Sequence, residues 1–121
     1  MGRRRQGAPA PSEKAIQTAI LSHWRVLSQP DTLVACLPNA MAHGQPGLTK
    51  GLPDLIVLGP GVPGRVGFVE LKRDEASTVS AAQHDFAALC NELGVAHAFC
   101  VGRDEPIAIL EAWDVIRRAA A

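Results

Sequence analysis

The stretch GLPDLIVLGPGVPGRVGFVELK, residues 51–72, decides the fold of this chain. It contains two short apolar segments, Leu55–Leu58 and Val66–Leu71, which are rich in β-branched and large apolar side chains. The loop between them is made largely of glycine and proline, the residues that most often form turns. The pattern therefore predicts a β-hairpin.

Few polar side chains occur in this run, and three of them stand out: Asp54, Glu70 and Lys72. A hairpin that is symmetric about Val62 pairs Asp54 with Glu70, with their Cβ atoms roughly 5 Å apart. Lys72 follows Glu70 by two residues and so lies on the same face of the sheet. Two carboxylates this close repel each other, and Mg²⁺, which takes oxygen ligands, removes the repulsion. The hairpin therefore predicts a metal site.

The composition indicates one globular domain, because 121 residues with 47% hydrophobic residues suffice for a single core. No apolar run approaches the roughly 18 residues that span a bilayer. The Arg-rich start lacks the apolar segment of a signal peptide, so we expect a cytoplasmic protein without a membrane partner. The formal net charge is zero, so a nucleic acid would have to be held by a local basic surface.

The three cysteines, Cys36, Cys90 and Cys100, have apolar neighbours and no CxxC spacing. This pattern predicts buried free thiols in a reducing compartment and argues against a structural zinc site.

The start of the chain combines an arm with a helix. Residues 1–11 carry three arginines and little that could pack, so we predict a disordered basic arm that is a candidate for phosphate contacts. The single domain then covers residues 12–121. A helix should begin at the N-cap Ser12, end near Leu27, and turn Glu13 and Gln17 towards the core side. Glu13 is either a first-turn acid that favours the helix dipole or a third carboxylate of the site.

Residues 32–37 read as a strand, and residues 38–50 form a loop without apolar periodicity before the hairpin. Loops that enter a site often carry substrate contacts. His43 and Lys50 are therefore candidates for DNA contacts, although both also fit solvent-exposed loop positions.

The second half of the chain predicts helix, strand and helix. Ser80 can cap a helix that carries Gln83 on its first turn and ends at Gly94. Residues 95–101 form a strand, and Pro106 fits the start of a last helix. The apolar residues assigned to that helix are Ile109, Leu110, Trp113 and Ile116. The order is helix, three strands, helix, strand and helix, which is an α/β fold with a mixed sheet between helices.

At this point the chain resembles a known superfamily. Pro53 and Asp54, a hairpin, and then Glu70, Leu71 and Lys72 have the form of the PD-(D/E)XK nuclease motif. The restriction-endonuclease-like αβββαβ core of that superfamily matches the predicted order, with one extra C-terminal helix.

More narrowly, the chain is similar to the virus-type replication–repair nuclease (VRR-NUC) family over about residues 12–116. The further features of this resemblance are Glu13 with Gln17, Pro38-Asn39, Lys50-Gly51-Leu52-Pro53-Asp54, Ser80 to Gln83, and Gly94. Two positions depart from related patterns. Phe86 stands where a larger Trp is expected, and Ala87 stands where RecB-like relatives have Tyr.

The resemblance implies a metal-dependent mechanism. Asp54 and Glu70 would bind Mg²⁺ or Mn²⁺ with the backbone carbonyl of Leu71, and Glu13 would complete the site directly or through water. Lys72 would orient the attacking water or stabilise the transition state, and Gln83 would orient Lys72 or the water. The alternative is structural: Glu70 and Lys72 form a plain surface ion pair, and Asp54 is a turn residue.

The resemblance also implies a substrate. Small standalone members are homodimeric endonucleases that act on branched DNA such as four-way (Holliday) junctions in DNA repair, and they need no nucleotide cofactor. This would make the protein bacterial or phage-encoded. The alternatives are a non-catalytic DNA-binding module and a flap or DNA-end nuclease. Arg65 and Arg73 join Lys50, His43 and the arm as candidates for DNA contacts, and Trp113 is a candidate for the dimer interface.

Overall fold

The computed structural model describes residues 11–38, 47 and 49–118. The helices and strands are, in chain order, α1 (Glu13–Leu27), β1 (Leu33–Cys36), β2 (Leu55–Leu58), β3 (Val66–Lys72), α2 (Ala81–Leu93), β4 (Ala96–Val101) and α3 (Asp104–Ala112). This order confirms the predicted α/β fold class. The arm predicted for residues 1–11, apart from its last residue, and the candidate His43 lie outside the described residues.

The four strands form one mixed sheet in the order β1-β2-β3-β4. The first two pairings are antiparallel and the third is parallel. In the hairpin, Leu58 pairs with Val66 and Leu55 pairs with Val69, which is the register that symmetry about Val62 predicts. Asp54 lies just before β2, and extending this register by one residue sets it opposite Glu70.

The end of β3 is buried on both faces of the sheet. Val69 and Leu71 are 0% exposed and belong to the main core between the sheet and the helices α1 and α3. Side chains alternate along a strand, so Glu70 and Lys72 point to the other face, which α2 covers. Both are buried there, at 3% and 7% exposure.

The helix boundaries that depend on caps agree with the sequence. The Ser12 hydroxyl accepts a hydrogen bond from the Ala15 backbone N–H at 3.1 Å, where α1 begins. Ser80 caps α2 in the same way, and Gly94 ends α2 with a left-handed backbone at φ 72°. Caps are encoded by a few neighbouring residues, so local sequence is enough to find them.

The boundaries predicted for the last helix were wrong at both ends. The helix α3 begins at Asp104, two residues before Pro106. Proline is tolerated at this position because the N–H groups of the first turn have no partner within the helix. It ends at Ala112, so Trp113 and Ile116 lie beyond it. Trp113 is only 8% exposed, which removes it as a candidate for the dimer interface.

Gly67→Ala is expected to destabilise the fold. A Cβ atom at Gly67 would lie 2.8 Å from the ring of Trp113, well inside normal carbon–carbon contact. Since that ring is buried, we expect an overpacking cost of about 1–3 kcal/mol in the free energy of unfolding. Urea unfolding measures it, and the smaller ring of Trp113→Phe in the same background should recover part of the loss. Unchanged stability would contradict the contact.

Candidate functional site

A cleft of about 690 Å³ opens where β2 begins and β3 ends, between the first turns of α1 and α2. The structure brings most of the predicted site residues to its lining: Glu13, Gln17, Lys50, Asp54, Glu70 and Gln83. They come from two helices, one strand and the segment before β2. The fold therefore gathers polar residues that are far apart in the sequence.

Asp54 is held at the mouth of the hairpin by two hydrogen bonds. Its carboxylate Oδ2 accepts from the backbone N–H of Leu71 at 2.7 Å. Its backbone carbonyl accepts from the N–H of Leu37, just after β1, at 2.8 Å. Asp54 is therefore fixed to both neighbouring strands and is more than a turn residue.

Glu70 is a buried carboxyl group beside other negative charges. Burial and, next, the negative charge of Asp54 raise the pKa of Glu70 to about 8, while the ammonium of Lys72 acts in the opposite direction. The negative charge of Glu13 raises the pKa of Glu70 further, by a smaller amount. Glu13 is therefore close enough to Glu70 for their charges to interact. A cation bound between these carboxylates would favour the ionised form of Glu70.

The ammonium of Lys72 is surrounded by oxygen acceptors. Its ammonium Nζ donates to the backbone carbonyl of Thr78 at 2.9 Å and to Gln83 Oε1 at 3.0 Å. It also lies 3.8 Å from Glu70 Oε2. Since both members of this ion pair are buried, the plain surface pair considered from the sequence is excluded.

Gln83 connects the charged residues of the site. Its Nε2 donates to Glu70 Oε2 at 2.9 Å, and its Oε1 accepts from Lys72. The same Oε1 also accepts from the backbone N–H of Ser80 at 2.9 Å. The first turn of α2 is therefore tied directly to the end of β3.

Strand alternation sets the backbone carbonyl of Leu71 on the β2 side of β3. The next carbonyl, that of Lys72, accepts from the N–H of Gly102 beyond the end of β4 at 2.8 Å. Successive residues of a strand direct their backbone groups to opposite sides. Leu71, whose N–H already binds Asp54, therefore presents its carbonyl to the same side.

The oxygen donors of the cleft fit a hard divalent cation. Within residues 11–38, 47 and 49–118, no group of three or more His, Cys, Asp and Glu side chains could hold a metal ion. Asp54, Glu70 and the Leu71 carbonyl make a smaller set. Mg²⁺ commonly uses one or two carboxylates and keeps several waters, so this smaller set is sufficient for it.

The predicted DNA-contact residues are spread over the surface. Lys50 is exposed on the rim of the cleft. Arg73 follows β3 and forms an exposed pair with Asp74 at 3.6 Å. Arg65 lies in the turn that joins β2 and β3, at the opposite end of the hairpin from Asp54. The structure therefore places Lys50 at the site and Arg65 away from it.

The prediction of three buried thiols was wrong for Cys36. Cys90 and Cys100 are buried free thiols, and burial, followed by the charge of Glu105, raises the pKa of Cys100 to about 12. Cys36 is exposed and lines the cleft. The reason is its position at the end of the edge strand β1, where the cleft opens.

Two contacts in the candidate site could not be predicted from the sequence. The Thr78 carbonyl and the Ser80 N–H are backbone groups, which every residue except proline carries in the same form. Only the path of the segment between β3 and α2 brings them to Lys72 and Gln83. A serine three residues before a glutamine signals a capping box, but it does not reveal what else the glutamine binds.

Comparison with known proteins identifies the fold. No family model matches the chain, and no curated protein matches it. A solved structure named "VRR_NUC domain protein" superposes with a TM-score of 0.73 at 20% sequence identity, covering 88% of this chain and 90% of that chain. A second, named "VRR_NUC domain", gives 0.60 at 23% identity, covering 82% and 94%. The chain therefore has the VRR_NUC fold, as the sequence resemblance implied.

The structure also bears on the membrane prediction. None of the helices within the described part of the chain is long and apolar enough to cross a bilayer.

Proposed function

We propose that this protein is a metal-dependent DNA endonuclease that hydrolyses phosphodiester bonds. The observation that carries the proposal is the convergence of Asp54, Glu70 and Gln83 in one cleft of a VRR_NUC fold. Lys72 lies buried behind the cleft lining, where it contacts Gln83 and Glu70. Buried charges are costly unless they are paired or bind a metal. A protein that needed only stability would not gain from placing two carboxylates and an ammonium there.

The metal-binding groups in this proposal are Asp54, Glu70 and the carbonyl of Leu71, which hold Mg²⁺ or Mn²⁺. When bound, such an ion lowers the pKa of its water and offsets the charge on the scissile phosphate. Glu13, half-buried on the cleft wall, would act through a metal-bound water, because the described residues offer no group of three acidic side chains that could hold the ion together.

Lys72 supplies a fixed positive charge beside Glu70, one of the groups that would hold the metal. Because Thr78 and Gln83 both accept hydrogen bonds from it, its ammonium is held in place before substrate arrives. A preorganised donor of this kind can orient the attacking water and stabilise charge that develops on the phosphate. Gln83 bonds to both Lys72 and Glu70 and therefore fixes their relative position.

The substrate in this proposal is structured DNA, and above all four-way junctions cut during DNA repair inside the cell. The support is the sequence resemblance together with the fold. A homodimer would present two clefts to the two strands that must be nicked. Lys50 on the cleft rim and Arg73 beyond β3 are proposed phosphate contacts, together with His43; Arg65 would reach only DNA that extends along the hairpin.

The experiment is cleavage of a labelled four-way junction with Mg²⁺ or Mn²⁺, beside flap, linear duplex and intact plasmid substrates. We expect paired symmetric nicks in the junction, and none in EDTA or with Lys72→Ala. Preferred cutting of flaps or ends would replace the substrate and keep the chemistry. Binding without cleavage in either metal would contradict the nuclease and favour a non-catalytic DNA-binding module.

A further inference from the structure

The cap of α2 is chemically joined to the candidate active site. In a capping box, the side chain of the N-cap residue and that of the third helical residue each bind the other's backbone N–H. Ser80 and Gln83 form both bonds: the Ser80 hydroxyl accepts from Gln83 N at 3.1 Å, and Gln83 Oε1 accepts from Ser80 N at 2.9 Å. Here the Gln83 amide also reaches Lys72 and Glu70.

The Ser80 backbone N–H and the Lys72 ammonium together determine which way the Gln83 amide faces. The amide has an acceptor end, Oε1, and a donor end, Nε2. The Ser80 N–H and the Lys72 ammonium are both donors, and both meet Oε1, so Nε2 is left to donate to Glu70 Oε2 at 2.9 Å. In the reversed orientation, the amide NH₂ would face the Ser80 N–H and the Lys72 ammonium, which are also donors. The amide oxygen would then face the Glu70 carboxylate, which is also an acceptor.

We propose that Ser80 is a positioning residue for the catalytic pair Glu70 and Lys72. Its hydroxyl holds the backbone of Gln83, and its N–H holds the Gln83 amide in the orientation that binds both charged groups. Ser80 itself acts only through Gln83. The inference rests on the proposed nuclease function for its kinetic consequence, whereas its structural content can be tested without cleavage.

The first test compares two helix caps in the kinetics of junction cleavage. Ser80→Ala is expected to lower kcat about tenfold with little change in KM, because a misplaced catalytic group affects the chemical step. Ser80→Thr keeps a hydroxyl at the N-cap and should restore kcat. The matched control is Ser12→Ala, which removes a cap bond of the same length, 3.1 Å, from α1. Both alanine variants should lose about 1 kcal/mol of stability.

An equal loss of kcat in Ser12→Ala and Ser80→Ala would overturn the inference, because the loss would then not be specific to the cap that holds Gln83. Failure of Ser80→Thr to recover activity would overturn it as well. The double variant Ser80→Ala/Gln83→Ala gives an independent check. If Ser80 acts only through Gln83, the double variant is no slower than Gln83→Ala, whereas additive losses would contradict the proposal.

The second test needs no cleavage. The side-chain amide resonances of Gln83, assigned by their loss in Gln83→Glu, are followed by NMR in metal-free protein. We expect them to move in Ser80→Ala and to stay in place in Ser12→Ala and Ser80→Thr. Unmoved resonances in Ser80→Ala would overturn the inference. If the wild type cuts no DNA but the Gln83 resonances still move in Ser80→Ala, the proposed function is contradicted and the positioning role of Ser80 remains.

Discussion

Lys72→Ala is expected to reduce DNA cleavage by at least about 10²–10³-fold while the protein stays folded. The ammonium is held by Thr78 and Gln83 and faces the Glu70 carboxylate, so it is preorganised where charge would develop on a phosphate. Alanine removes the charge and frees Gln83 Oε1. The loss should therefore appear in kcat, measured under single-turnover conditions, rather than in the affinity for DNA.

Two variants make this result specific. Lys72→Met keeps most of the buried volume and should be as inactive as Lys72→Ala, since the charge and not the packing is required. Lys14→Ala removes an exposed lysine from α1 and should remain within a few-fold of wild-type activity. Wild-type rates in Lys72→Met would contradict the catalytic role of Lys72. If circular dichroism shows that the Lys72 variants are unfolded, Lys72 is required for stability instead.

Local sequence was sufficient to predict much of this molecule. The hairpin register follows from two apolar segments around a glycine- and proline-rich turn, and the limits of α1 and α2 follow from Ser12, Ser80 and Gly94. Those signals concern neighbouring residues, so tertiary contacts had little to change. The same register brings Asp54 and Glu70 to the same end of the hairpin.

What the sequence did not reveal depends on long-range packing. The helix α3 stops at Ala112 because the chain turns there to bury Trp113 against Gly67, a contact between distant segments. Cys36 is exposed because β1 is an edge strand that ends at the cleft. The carbonyl that binds Lys72 belongs to Thr78, in a polar segment without any periodic pattern.

The pH dependence of stability gives the second large effect. The pKa of Glu70 is raised from its ordinary value of 4.5 to about 8 in the folded protein. Between these two values the folded state holds a proton that the unfolded chain has lost. The contribution of Glu70 to the free energy of unfolding is therefore complete below pH 4.5, decreases as the pH rises from 4.5 to 8, and is lost above pH 8. In EDTA, the melting temperature of the wild type should therefore drop by at least about 5 °C between pH 5 and pH 9.

Glu70→Gln isolates this effect, because a neutral amide has no proton to lose. Its profile should lack the fall, and the difference between the two proteins cancels other groups such as His97, whose pKa burial lowers. Mg²⁺ or Mn²⁺ at about 100 times its Kd should stabilise the wild type by about 2.7 kcal/mol, most visibly at pH 8–9, and should leave Glu70→Gln unchanged. Glu92→Gln, an exposed change on α2, should keep both responses.

Parallel pH profiles for wild type and Glu70→Gln would contradict the raised pKa. An equal metal response in both would contradict Glu70 as a metal ligand, since a cation can stabilise the folded state only through groups that bind it there.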